Sequence, residues 1–401
     1  MGYFKKNGFL PFSEPYIGEE ELEAVKRVFE RNWFTTGPEV KEFEKEFAAY
    51  TNSKIAVAVN SATAALHISL ASLEVGNKDD IIAPPFTFVS TINTIVETGA
   101  YPVLIDIDTD DYGISPDKIE DEISENYIKK GDSLFHKKRG NRLKGIIVVH
   151  YGGQPAKIDK LNDIAKKYNI KIIEDAAHAI GSKSNGKKIG NSDNLVCFSF
   201  YSNKNMTTGE GGMVTTNNSK IEKTLRMYSL HGIDKQAYSR LKQEGLPYYD
   251  VKVLGFKYNM MDISAAIGRE QLKKIDMINK KRDMLAQLYE KYFSEIEEIK
   301  ITPLKKKIYS SRHLFTISLN NKINRDSFIK KLLEKKIQTS IHFIPVYHFN
   351  YYKNHFPYKK NTFKNTEAVF NSIVSLPIFP SMEEEDIKTV IYYIKEILSK
   401  L

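Results

Sequence analysis

From Leu10 to about Tyr258, short β-branched apolar runs alternate with longer segments whose apolar positions recur at helical spacing. The runs IAVAV (Ile55–Val59), DIIAPP, PVLIDID, GIIVVH, IKIIED and LVCFSF are predicted strands. TAALHISLASL and FTFVSTINTIVETG between them are predicted helices, and Ser115 before Pro116 marks another helix start. Strands alternating with helices predict an α/β fold built on a large, doubly wound, mostly parallel sheet. Such a sheet places functional loops at the carboxyl ends of its strands. A long helix is predicted from Asp262 to Phe293, where charges and apolar residues share helical spacing. Beyond it a smaller α/β domain is expected, with strands at LFTISL and around IQTSIHFIP and a final helix from Glu384 towards Leu398. The division expected is 1–260, a large domain with an N-terminal arm, and 261–401, the linking helix and small C-terminal domain.

Composition narrows the class. The chain has 401 residues, 41% of them hydrophobic and 11% aromatic, enough apolar surface for a substantial core and too much for a disordered tail. A lone Cys197 excludes an internal disulfide and a thiolate zinc cage, and no metal is expected. Between Val196 and Phe198 that thiol reads as buried. The amino terminus MGYFKKNGFLPF lacks an apolar signal core, and Lys6 stands where a myristoylation signal needs Ser or Thr. The stretch from Ile55 to Val75 is interrupted by Asn60, Ser61, Thr63 and His67, too polar a set for a bilayer span. A soluble cytoplasmic protein without membrane insertion is expected. The net charge of +9 is spread along the chain, and nucleic acid is not an expected partner. The densest basic stretch, Lys129–Lys144, reads as a solvated hairpin or loop.

No GxxxxGK(S/T), HExxH, CxxC or strand–GxGxxG–helix pattern is present, which removes the common nucleotide-hydrolase, zinc-protease and dinucleotide signatures. Three other features carry chemistry. Lys204 follows the strand VCFSF and opens a loop containing Gly209, Gly211 and Gly212; it is either one more surface lysine or an amine held near a buried strand end. Asp175 closes the strand KIIED and reads either as a helix N-cap for AAHAIGS or as an anion for a protonated heterocycle. The turn NSAT (Asn60–Thr63) is either a plain cap or a phosphate site at a helix start. Pyridoxal 5'-phosphate is a single ligand that needs all three: an amine for its aldehyde, an anion for its ring nitrogen and donors for its phosphate.

At FSFYSNKNMTTGEGG, EDAAHAIGS, NSATAALH and GFKYNMMDISAAIG the chain resembles the DegT/DnrJ/StrS family of sugar-nucleotide aminotransferases. The resemblance runs from LPFSEPYIGEEELEAVKRVFERNWFTTGPEVKEFEKEF to SLPIFPSMEEEDIKTVI. It implies the fold-type I architecture and a homodimer with shared active sites. By motif, Lys204 would hold pyridoxal 5'-phosphate as a Schiff base and then serve as the proton-transferring base. Asp175 would pair with the ring nitrogen, His178 would lie near the cofactor hydroxyl, and Phe88 would stack on the ring. Ser61, Ala62, Thr63 and Ser199 would surround the phosphate. In GFKYN, Asn259 is favoured over Lys257 as the residue reaching the neighbouring subunit's phosphate site. Thr35, Thr36 and His342 would border the sugar pocket. The implied reaction moves an amino group from an amino acid, L-glutamate first, to a nucleotide-linked keto sugar, with C4 of a UDP-4-keto sugar as first choice. C3 amination and dTDP or GDP carriers stay open. The product would serve cell-surface polysaccharide, lipopolysaccharide or glycan biosynthesis. Two alternatives remain: a sugar dehydrase, which in this family usually carries histidine in place of the lysine, and a noncatalytic regulator using the basic loop near Lys137.

Overall fold

A computed structural model describes residues 2–234, 249–302, 304–356, 358 and 361–400. Its main sheet follows the strand order Ile55–Val59, Gly212–Thr216, Leu195–Ser199, Lys171–Asp175, Arg142–Val149, Asp79–Ala83, Tyr101–Leu104. Pairing is parallel from Leu195–Ser199 across to Tyr101–Leu104, and Gly212–Thr216 runs antiparallel to both of its neighbours. In that register Gly212 lies between Val59 and Ser199, and Asp175 pairs with Val149 and Cys197. The carboxyl ends of these strands therefore share one edge.

Side chains alternate across a strand, so each run of apolar residues feeds two cores. Val57 and Val59 pack with Ala65, Leu66 and Cys197 on one face. Ala56, Ala58 and Phe198 meet Phe43, Phe47 and the long helix Asp262–Phe293 on the other. That helix and the final one, Glu384–Leu398, have the bounds read from their periodicity. A second, antiparallel sheet joins Ile299–Ile301, Phe315–Leu319 and Ile373–Leu376. It shares a core with the distal half of the long helix, where Tyr289 stacks on Phe315 at 4.7 Å. The N-terminal arm joins this core through Leu10, and Asp386 accepts the amide protons of Tyr3 and Phe4.

Two expectations are corrected. AAHAIGS forms a turn instead of a helix, so Asp175 is not a helix N-cap. Gly181 there adopts φ +80°, and a Cβ on it would lie 2.5 Å from Asn279 Nδ2, so the chain turns where it passes close to the long helix. The segment around IQTSIHFIP forms only the isolated bridges Leu10–Ile337 and Ser340–Ser375 instead of a strand. Its residues are held individually: His342 Nδ1 lies 2.9 Å from Ser375 Oγ, and the Tyr151 hydroxyl donates to the His342 backbone carbonyl. The basic stretch is a hairpin, Tyr127–Lys130 with Ser133–His136, added to the main sheet. Arg139 and Arg142 are paired with Asp80 and Asp79 at 2.7 and 3.0 Å.

Candidate active site

Ser61 leaves the first strand in extended backbone and caps helix Ala62–Ser72, its Oγ accepting the Ala64 amide proton at 3.1 Å. Amides of a helix's first turn lack carbonyl partners and, with the helix dipole, favour an anion. Gly212 keeps this turn in place. A Cβ there would stand 2.4 Å from the Ser61 carbonyl oxygen and 2.7 Å from the Ala62 nitrogen, both backbone atoms that cannot swing aside. Gly212→Ala is expected to displace the Ser61–Ala62 turn, weaken pyridoxal 5'-phosphate binding by about tenfold or more, and destabilise the protein by ~1–3 kcal/mol. Fluorescence titration and thermal melts measure the two effects.

Asp175 is buried at its strand end. Its Oδ2 accepts the Thr91 hydroxyl at 2.8 Å and its Oδ1 accepts the Ala177 amide at 3.2 Å. Burial pushes its pKa up, while those two donors and then Lys204 pull the other way. Lys204 follows a tight turn in which its own amide donates to the Tyr201 carbonyl at 2.9 Å. Although the residue as a whole keeps intermediate exposure, its ammonium is desolvated, and the pKa falls from 10.5 to about 8 despite the Asp175 charge. At neutral pH that raises the neutral amine fraction by a few hundredfold, about tenfold per pKa unit. The loop beyond it folds back on itself: the Thr208 amide donates to the Phe200 carbonyl, and Gly209 takes φ +77°.

The buried His178 ring accepts the Gly152 amide at Nδ1, 3.3 Å away, which places its proton on Nε2. Burial, then Lys204 and His342, hold its pKa well below the usual range. His342 is lowered to about 3 by burial, then by Lys204. Both imidazoles are therefore neutral at working pH and act as hydrogen-bonding groups.

Ser61, Ala62, Thr63, Phe88, Asp175, His178, Ser199, Lys204 and His342 all line one cavity of about 580 Å³. Phe88 is 60% exposed because it faces this space, its ring centroid 6.3 Å from that of Phe343. Thr35, Thr36, Lys257 and Asn259 do not line it. Asn259 Nδ2 donates to Thr36 Oγ1 at 2.7 Å, Thr36 Oγ1 donates to the Met260 carbonyl at 2.6 Å, and Lys257 Nζ donates to Asn259. Sequence reasoning missed Thr91, His150, Asn203 and Phe343. For Thr91 a signal existed, since Thr87 and Thr91 stand four apart and bond at 2.7 Å; Phe343 reaches the cavity only through the tertiary fold.

The residues fit pyridoxal 5'-phosphate on three counts. Asp175 is a buried carboxylate bonded to neutral donors, able to take a further cationic N–H. Asn203 Oδ1, at the cavity wall, is buried without a hydrogen-bond partner. Lys204 offers a desolvated amine. Bound there, the cofactor would supply an electron sink for breaking a bond at the amine-bearing carbon. Lys204 would hold it and move protons, Asp175 would retain the proton on its ring nitrogen, and the Ser61–Thr63 turn would bind its phosphate.

The model of the DegT/DnrJ/EryC1/StrS aminotransferase family matches residues 15–395. An uncharacterized protein of Methanocaldococcus jannaschii is 42% identical over 398 residues, covering 98% of this chain and 99% of that one. Spore coat polysaccharide biosynthesis protein SpsC of Bacillus subtilis is 39% identical, covering 98% of both chains. The structure of PseC from Helicobacter pylori, an aminotransferase in pseudoaminic acid biosynthesis, superposes with a TM-score of 0.87 at 26% identity, covering 98% of this chain and all of PseC. No described helix is long and apolar enough to cross a membrane. The chain belongs to the DegT/DnrJ/EryC1/StrS aminotransferase family, and it is a sugar aminotransferase dependent on pyridoxal 5'-phosphate.

Proposed function

We propose that this enzyme transfers the amino group of L-glutamate to the C4 keto group of a UDP-linked 4-keto sugar, for a cell-surface polysaccharide. The observation that carries the aminotransferase chemistry is the convergence of Lys204, Asp175 and the Ser61–Thr63 turn on one cavity, and the choice of C4 and UDP rests on the resemblance of FLPFSEPYIGEEE and GFKYN to such enzymes. The amine would take the cofactor, and after the donor amino acid displaces it, would be free to carry protons in both half-reactions. The polysaccharide context is supported by likeness to SpsC, named for spore coat polysaccharide biosynthesis, and to PseC, named for pseudoaminic acid biosynthesis. Lys204 itself weighs against a dehydrase, for which the family resemblance leads one to expect histidine.

The proposed active unit is a homodimer. Asn259 and Thr36 bond to each other and do not line the cavity of their own chain, as residues that serve a neighbouring subunit would. In the same region Phe29, Trp33, Phe34 and Met261 are exposed, an apolar set that a second copy would cover. The test is a panel of UDP-, dTDP- and GDP-linked 3-keto and 4-keto sugars with L-glutamate as donor, products read by NMR. Amination at C4 of the UDP substrate with kcat/KM at least about tenfold above the others is expected. A preference for a 3-keto sugar or another carrier overturns the assignment while leaving the aminotransferase chemistry in place.

A further inference from the structure

Asn205, the residue after Lys204, is buried and sits where three parts of the fold meet. Its Nδ2 donates to Asn279 Oδ1 and to the Ser311 carbonyl, each at 2.7 Å, and its Oδ1 lies 3.0 Å from His313 Nδ1. The polarity of this chain is set from one end. Asn279 Nδ2 donates to the Ile180 carbonyl at 3.0 Å, so Asn279 Oδ1 must accept; Asn205 then donates from Nδ2, and His313 must carry its proton on Nδ1. Burial holds the His313 pKa well below the usual range, which keeps the ring neutral.

The strap Ser310–His313 is clamped on both sides. Ser311 Oγ donates to the His178 carbonyl at 2.7 Å, and the Ser311 amide donates to Ser182 Oγ at 3.0 Å. Arg282 lies three residues beyond Asn279 on the same helix face, and its Nη1 donates to the carbonyls of Ile378 and His313 at 2.8 and 3.3 Å. The His313 ring also packs on His178, centroids 4.3 Å apart, at the cavity wall. A buried amide with every polar atom bonded in one direction has no second low-energy orientation.

We propose that Asn205, locked by His313, is a positioning residue that fixes the Lys204 amine in the cavity by tying its loop to the long helix and the Ser310–His313 strap. This rests on the assignment of Lys204 as the cofactor lysine. The test compares Asn205→Leu and His313→Phe, which keeps a ring against His178 but loses the N–H, with His313→Asn, which loses the ring but keeps a donor. In the holoenzyme both donor-lacking variants are expected to lower kcat by about 10- to 100-fold with KM for either substrate within about twofold. In cofactor-free protein, trace acylation of Lys204 followed by mass spectrometry should show its pH midpoint rising from about 8 towards that of an ordinary lysine. His313→Asn should restore both readouts, and the double variant should be no worse than either single one. Either variant that folds suffices for the labelling measurement. A midpoint that stays near 8 in the donor-lacking variants overturns the proposal whatever turnover does; full activity of Lys204→Ala would refute the lysine assignment instead.

Discussion

Lys204→Ala is expected to lower kcat by about 10⁴-fold or more, because one substitution removes both the group that holds the cofactor and the base that shuttles protons. Lys204→Arg should fare no better, since a guanidinium does not give up its proton near neutral pH. A second measurement on the same site tests the physical cause. The folded-state pKa of about 8 lies below the 10.5 of a free lysine, so the unfolded chain binds the proton more tightly. Stability then rises with pH between about 8 and 10.5, and the penalty of holding a desolvated ammonium is fully present below 8. Lys204→Met should therefore raise the melting temperature of the cofactor-free protein at pH 7, by several degrees, and lose that advantage above pH 10.5. Turnover within tenfold of the parent in Lys204→Ala would end the catalytic reading. A Met variant no more stable than the parent at pH 7 would mean that the amine is well solvated after all.

How much of this was legible in the sequence depended on whether the signal was local. Lys204, Asp175 and Ser61 each stand at the end of a short apolar run, and strand ends of a parallel sheet gather at one edge, so their convergence follows from strand order. The helices Asp262–Phe293 and Glu384–Leu398 were readable because their periodicity is long and uninterrupted. AAHAIGS misled because its alanines favour a helix, and what decides its path is the approach of Asn279 to Gly181, a contact 98 residues away in sequence. IQTSIHFIP has strand-like alternation, yet His342 and Phe343 are drawn towards the cavity, and only the isolated bridges Leu10–Ile337 and Ser340–Ser375 form. The roles of Phe343 and His313 had no local signal, since their partners His178 and Asn205 lie more than about a hundred residues earlier in the chain. Asn259 and Thr36 were placed by resemblance alone, and a single chain holds them outside the cavity.

Asp175→Asn separates charge from shape at the other pole of the site. The amide is isosteric, and the local network can reverse to suit it: its oxygen still accepts the Ala177 amide, while its nitrogen donates to Thr91, which turns its own proton to Thr87. The fold is therefore expected to survive, and its pH dependence to change in a defined direction. Burial raises the Asp175 pKa above 3.8, so the folded state holds that proton more tightly than the unfolded chain. From about pH 4 up to the raised value this carboxyl makes stability fall as pH rises, and at neutral pH the buried anion remains a net penalty. Asp175→Asn removes it, so cofactor-free protein should melt at an equal or higher temperature than the parent at pH 7. Catalysis should move the opposite way. Without an anion beside it, the cofactor ring nitrogen loses its proton more readily, and kcat is expected to fall by about 10²–10³-fold. Cofactor affinity should change far less, because the Ser61–Thr63 turn is untouched. The combination of a stable protein, retained binding and collapsed turnover is the signature of a charge held in place for chemistry. Equal losses in stability and turnover would instead assign Asp175 a purely structural role at the end of its strand.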